Sequence, residues 1–270
     1  MPELPEVETI RRQLLPIYQS EVFAEITFSE NAASLLQNCD VQLFCAALPG
    51  KSIADLQRTG KYLLFDLTDI FPVFHLGMSG IFLQEKSHSR YPRHVHVSMH
   101  FESGKHLYFQ DMRRFGKIWL YQQKPRFDNL GVDPINGGLT LKHFQEILQK
   151  RDMNIKLFLM DQHKLAGIGN IYASEILFDA AISPFRKTGD LQTSEIQAMY
   201  AAIHRILNAA IDRFGTTYSA YRTVTGQAGE NQNFLKVYQR GGLPCYQCGQ
   251  EIIKTMLGNR STFYCENCQN

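Results

Sequence analysis

The chain has 270 residues, 44% of them hydrophobic, with 28 Lys and Arg against 26 Asp and Glu and a formal net charge of +2. That length exceeds a single usual core and predicts two domains, and the balance of apolar and charged residues excludes a disordered or fibrous protein. No apolar run approaches the roughly 20 residues of a membrane span, and the acidic, amphipathic start is unlike a secretory signal, so a cytosolic protein is expected.

The opening Met1-Pro2-Glu3-Leu4-Pro5-Glu6-Val7-Glu8-Thr9 leads into Ile10, Leu14 and Leu15 at helical spacing, with Pro5 suited to a first turn and glutamates near the positive end of the helix dipole. Pro16 is expected to stop this helix. From there to Tyr121 the signals are short and β-like: 61–67, 72–76, 95–101, 106–109 and 117–121. Charge is uneven along this stretch. Residues 1–85 carry 5 Lys and Arg against 11 Asp and Glu, whereas 86–124 carry 8 against 2, together with His88, His94, His96, His100 and His106. A basic band of this kind suits a face that meets a polyanion.

Pro125, Gly131, Pro134, Gly137 and Gly138 mark a linker, after which the pattern turns helical. Ser194 with Gln197 reads as a capping box, the apolar stripe Ile196, Met199, Ile203, Leu207, Ala210 and Phe214 follows, and Gly215 reads as the stop. The expected fold class is α+β: an N-terminal helix plus antiparallel β-sandwich over 1–124, a linker over 125–138, a helical domain over 139–239 and a hairpin over 240–270.

Four features carry chemistry. If Met1 is removed, Pro2 presents a secondary amine that titrates near roughly 7.7 to 8.0, far below a lysine at about 10.4. Such an amine can attack a sugar aldehyde carbon to form an iminium, and Glu3 beside it can move protons. Cys245-x2-Cys248 and Cys265-x2-Cys268, sixteen residues apart, are spaced for a closed structural zinc site, and Lys254, Asn259, Arg260, Ser261 and Thr262 between them supply phosphate-seeking donors. Cys39 and Cys45 read as plain buried thiols. Lys164 to Glu175 contains Gly167-Ile168-Gly169 before a helix that Asn170 could cap, a setting for phosphate. Two loops, His75 to Gly80 and Asp111 to Gly116, offer Met78, Arg113 and Phe115, which suit wedging between bases.

Together these motifs resemble the formamidopyrimidine-DNA glycosylase family, base-excision enzymes of bacteria related to endonuclease VIII. The resemblance rests on PELPEVET, Thr59-Gly60-Lys61-Tyr62-Leu63-Leu64, HLGMSG, RRFG, AGIGNIYASE and the four-cysteine finger with Arg260-Ser261-Thr262. It implies a helix-two-turns-helix domain with a zinc hairpin, DNA running between the two domains, and one structural zinc ion with no redox cofactor. Pro2 would be the nucleophile, Glu3 its acid/base partner, Lys61 a second catalytic amine and Glu6 part of the lesion pocket. His75, Lys156, Asn170 and Arg260 would hold the DNA backbone, Met78, Arg113 and Phe115 would fill the void, and His94 of the basic band joins the DNA-binding set.

The implied activity is a bifunctional DNA glycosylase and abasic-site lyase that removes oxidised purines from double-stranded DNA. A nucleoid-associated bacterial monomer with no membrane partner is expected. Two positions depart from the family pattern. Met112 stands where Pro is usual, and Gly215 to Arg222 lacks the Leu-Arg-Asp-Phe that follows the threonines. A preference for oxidised pyrimidines, or a scaffold that binds damaged DNA without catalysis, therefore stays open.

Overall fold

A computed structural model describes every residue except Asn31, Lys150 and Arg151. The chain forms two compact units, Met1–Phe127 with Arg213–Gln232, and Asp128–Asp212 with Asn233–Asn270. No helix among the described residues is long and apolar enough to cross a membrane.

The first unit opens with α1 (Leu4–Tyr18), which buries Val7, Ile10, Leu14 and Tyr18. Pro16 lies inside this helix rather than ending it. A proline in the last turn forfeits a single backbone bond and leaves no long helix beyond it to be kinked. Strands β1 (Phe23–Phe28), β2 (Asp55–Thr59), β3 (Tyr62–Asp66), β4 (Phe71–His75), β5 (Gly80–Leu83), β6 (Val95–Phe101), β7 (His106–Asp111) and β8 (Lys117–Tyr121) follow, with α2 (Val41–Ala47) between β1 and β2. They form two four-stranded antiparallel sheets, ordered β1-β6-β7-β5 and β2-β3-β4-β8. Phe65, Phe74, Phe82 and Phe109 meet between the sheets with ring centroids 5.1–5.9 Å apart, the spacing of well-packed aromatic pairs. The sequence pattern had not marked β1, β2 or β5.

Residues 213–232 belong to this unit although they follow the helical segment in the chain. Tyr221 and Val224 complete the first core. The Val224 amide donates to Gln13 Oε1 at 3.2 Å, and the Gln84 amide donates to the Val224 carbonyl at 3.0 Å. Burial of these two apolar side chains, far from β1–β8 in sequence, is what draws the segment back.

The second unit holds α3 (Leu141–Gln149), α4 (Ile155–Met160), α5 (Asn170–Asp179), α6 (Thr193–Asp212) and the hairpin of β9 (Ile253–Leu257) and β10 (Arg260–Tyr264). Every residue of α5 from Ile171 to Phe178 is buried, as expected of a helix enclosed by its own domain. Part of the stretch read as linker is packed here: the Gly131 amide donates to the Gln162 carbonyl at 2.7 Å, and a Cβ at Gly131 would meet Lys164 backbone at 2.2 Å.

Two local readings change. Helix α6 starts at Thr193, one residue before the expected cap Ser194, and the Gln192 amide instead donates to Glu195 Oε2 at 2.7 Å. It ends at Asp212, so Phe214, at φ +59°, is half exposed instead of extending the stripe.

Candidate active site and nucleic-acid interface

The head of α1 is organised by its own side chains. Glu3 is the N-cap residue, and a capping box closes it: the Glu3 carboxylate accepts from the Glu6 amide, and the Glu3 amide donates to Glu6 Oε2 at 2.8 Å. Pro2, Glu3 and Glu6 are all buried. The second oxygen of Glu6 accepts from the Thr216 amide at 2.7 Å, so this side chain fastens the returning loop to the helix. Gly215 makes the approach possible, because at φ +78° it leaves room where a Cβ would lie 3.0 Å from Glu6.

One turn further along α1, Glu8 is buried beneath three arginines. Its oxygens lie 2.8 Å from Arg11, 2.8 Å from Arg12 and 3.0 Å from Arg58. Burial pushes this carboxyl upward, but hydrogen bonds from Arg11 and Arg12 and the charge of Arg58 outweigh it and hold the pKa down at about 2. Arg58, itself buried, also donates from Nη1 to the Gly60 carbonyl at 2.9 Å. The β2–β3 turn, with Gly60 at φ +56°, is thereby tied to α1, and it carries the buried Lys61. Sequence reasoning found Lys61 and missed Glu8 and Arg58; a glutamate three residues before an arginine was visible, but its partner fifty positions away was not.

His75 ends β4, paired with Tyr62 on one side and Lys117 on the other. Its Nδ1 accepts from the Gly77 amide at 3.1 Å. Burial, then the charges of Lys61 and Lys117, lower its pKa to about 4. The ring is neutral at physiological pH, and with Nδ1 accepting it carries its proton on Nε2, ready to donate.

The two wedge loops touch each other. A Cβ on Gly77 would lie 2.4 Å from Phe115 backbone, so only glycine permits the contact. Asp111, fully buried, accepts from Ser79 Oγ at 2.5 Å, the Gly116 amide at 2.6 Å and the Arg113 amide at 3.2 Å, which sets the second loop rigidly. Met78 and Phe115 remain 39% and 50% exposed, and the Arg113 guanidinium lies 4.6 Å over the Phe115 ring. These apolar side chains are not core residues. His94 sits on the short helical turn Pro92–His94, its Nε2 accepting from Arg93 Nε at 3.3 Å.

In the second unit the four sulfurs of Cys245, Cys248, Cys265 and Cys268 lie within 4.8 Å of one another, with pairs at 3.4 and 3.9 Å. A tetrahedral ion with Zn–S bonds of about 2.3 Å requires S···S separations of about 3.8 Å, so the donor set fits zinc and leaves no open position. The hairpin turns through Gly258 and Asn259, both at positive φ, and Arg260 is exposed at the start of β10.

Lys156 and Asn170 do not stand free beside Arg260. Lys156 is fully buried, its Nζ donating to the Ser261 carbonyl at 3.0 Å and Thr262 Oγ1 at 2.8 Å. Asn170 is the first residue of α5 after the N-cap Gly169; its side chain does not cap the helix but donates from Nδ2 to the same Ser261 carbonyl at 2.9 Å. Both side chains anchor the hairpin on α4 and α5. Glu175, deep in α5, accepts from the amides of Lys236, Val237 and Tyr238 at 2.8–3.0 Å and fixes the segment that leads into the finger.

Comparison with known proteins settles the family. Residues 1–118 match the formamidopyrimidine-DNA glycosylase N-terminal domain, 130–222 the helix-two-turns-helix domain of the same enzymes, and 242–270 the zinc finger found in FPG and IleRS. A formamidopyrimidine-DNA glycosylase of Syntrophomonas wolfei is 39% identical over 275 residues, covering all of both chains. The chain belongs to the formamidopyrimidine-DNA glycosylase family. Two solved structures of the Lactococcus lactis member, one with abasic-site DNA and one with N7-benzyl-Fapy-dG DNA, each superpose with a TM-score of 0.90 at 32% identity over 99% of both chains. As in the family, the fold combines helices with antiparallel sheets and ends in a zinc finger.

Proposed function

We propose that this family member is a bifunctional DNA glycosylase and abasic-site lyase, acting as a monomer on duplex DNA to remove oxidised purines such as 8-oxoguanine and formamidopyrimidines. The observation that carries the reading is the head of α1, where Pro2 is buried next to a carboxylate held by a capping box. Arg58 braces the turn of Lys61 against the same helix.

With Met1 removed, about half or more of the Pro2 nitrogen is free base near pH 8. It attacks C1′ of the extruded nucleotide as the bond to the base breaks and the electron pair leaves with the base. Glu3 carries a proton to the ring oxygen as the sugar opens, and the amine proton is lost on forming the iminium. That cation acidifies C2′; loss of its proton expels the 3′ phosphate, and a second elimination expels the 5′ phosphate.

In this reading 1–124, completed by the returning loop within 139–239, carries the chemistry, while the helical remainder of 139–239 and the finger 240–270, joined to it through 125–138, grip the strand. His75 donates from Nε2 to a phosphate, Lys61 and Arg260 contact phosphates as cations, and Asn170 and Lys156 hold the hairpin that presents Arg260. His94 lends the basic band to the duplex. Met78, Arg113 and Phe115 fill the gap left by the base, offsetting an extrusion cost of a few kcal/mol. Glu6 fastens the loop over the pocket. Zinc supplies the folding energy of the finger.

Borohydride reduction on a duplex containing 8-oxoguanine should give a covalent adduct that maps to Pro2, and an N-terminal tag should abolish it. An adduct on Lys61, or normal base excision by the tagged protein, would overturn the assignment.

A further inference from the structure

The first unit contains a half-open cavity of about 500 Å³ whose walls come from β5, the segment 88–91, the end of β7 and the returning loop at 219–226. Arg90, Arg113 and Arg222 line it together with His88, Tyr91 and Gln110, and no carboxylate is among its lining residues. Arg90 and Arg222 lie close enough to repel each other, while the Arg113 guanidinium stacks on the Phe115 ring; with no carboxylate in the wall, this pair forms an uncompensated cationic site.

The surroundings do not supply the missing charge. Arg222 donates from Nη1 to the carbonyls of Tyr221 at 2.6 Å and Ser219 at 3.1 Å, bonds that orient the guanidinium without neutralising it. Burial and the neighbouring Arg90 both make its cationic form less favourable. Asp111, adjacent in sequence to two wall residues, is fully buried and spends its oxygens on Ser79 and on backbone amides of its own loop. Glu85 comes within 3.9 Å of His88 Nε2 but is not part of the wall.

The Gln110 amide is also biased towards donation. The Gln110 Oε1 accepts from the Ser89 hydroxyl, which leaves its Nε2 hydrogens for the cavity. His88 Nδ1 is buried with no hydrogen-bond partner among the described residues. A wall of planar cations and amide donors matches the oxygens of a phosphate, which guanidinium groups bind in bidentate fashion. The volume exceeds that of a bare phosphate and leaves room for an attached sugar or base.

We propose that this cavity is a phosphate-binding site, in which Arg90 and Arg222 clasp the oxyanion and Gln110 donates to it. It stands whether or not Pro2 is the nucleophile. The phosphate has two possible sources, a backbone phosphodiester of bound DNA or the monoester of a free nucleotide.

The test is an amide chemical-shift titration of the full-length zinc-loaded protein with inorganic phosphate and then with deoxyguanosine monophosphate. Saturable shifts confined to 88–91, 110–113 and 219–226 are expected. Arg90→Gln, at an exposed position that leaves the 219–226 loop intact, and Arg222→Gln should each weaken binding about tenfold with unchanged thermal midpoints. Displacement of phosphate by undamaged duplex would identify the DNA backbone as the source, and simultaneous binding of both would identify the free monoester. Unsaturable shifts that chloride reproduces, or an affinity in both variants unchanged from that of the unsubstituted protein, would overturn the site.

Discussion

Replacing Glu8 by Gln tests the buried charge cluster that supports the proposed active site. The Glu8 carboxyl is held from 4.5 down to about 2 in the folded protein. At 1.36 kcal/mol per pH unit, that depression contributes about 3 kcal/mol of stability at neutral pH. Glutamine keeps the shape but cannot neutralise Arg58, whose guanidinium is buried, so the loss should reach the roughly 3–5 kcal/mol of a broken buried pair.

The sign is fixed by the direction of the shift. A carboxyl whose folded pKa is depressed stabilises fully above its unfolded value, and that contribution drains away as pH falls from about 4.5 through about 2. Urea unfolding of both proteins should therefore show a gap that is flat from pH 8 to 6 and smaller by about 1.4 kcal/mol at pH 3.5. Because Arg58 also holds the Gly60 carbonyl, abasic-site cleavage by the variant should fall even at temperatures where it is folded. A gap below about 1 kcal/mol, or one that does not change between pH 7 and 3.5, would refute the reasoning.

Three further outcomes are expected. His75 is held near a pKa of about 4, so DNA affinity should not change through titration of this residue between pH 6 and 8; its depressed pKa stabilises the fold above about 6.5 and loses that contribution towards 4, and His75→Gln should flatten the stability profile across that window in urea melts. Lys156→Met should weaken DNA binding by loosening the hairpin while leaving the slope of log affinity against log salt unchanged, whereas a direct phosphate contact would lower that slope by about one. Chelation of zinc should abolish DNA binding while near-ultraviolet circular dichroism of the first unit's aromatic core persists; full affinity after complete metal removal would contradict the role of the cysteine cluster.

Much of the chemistry was legible because it is written at short range. The cysteine pairs announce a tetrahedral site through spacing alone, and the exposed Met78 and Phe115 sit in loops that glycines mark. Strand β6 follows from alternation, which reports the pleat directly, and β8 from its short β-branched and aromatic run. The helix ends were less legible. Pro16 continues α1 and Asn170 gives up capping for a bond to Ser261, because a cap or break is a weak preference that one tertiary contact outweighs.

The sequence by itself determined the residue types: a potentially terminal proline beside a glutamate, four thiols in two pairs, an arginine near a hairpin tip, and β-like runs for five of the eight strands of the first unit. Tertiary structure alone decided their partners. Glu8 meets Arg58 across 50 positions, Lys156 meets Thr262 across 106, and Glu6 meets Thr216 across 210. Such pairings carry no periodicity, since a buried charge accepts whichever complementary group the packed chain brings within about 3 Å. The same holds for Arg90 and Arg222, which share one cavity wall only because Tyr221 and Val224 are buried in the first core and return their loop to it.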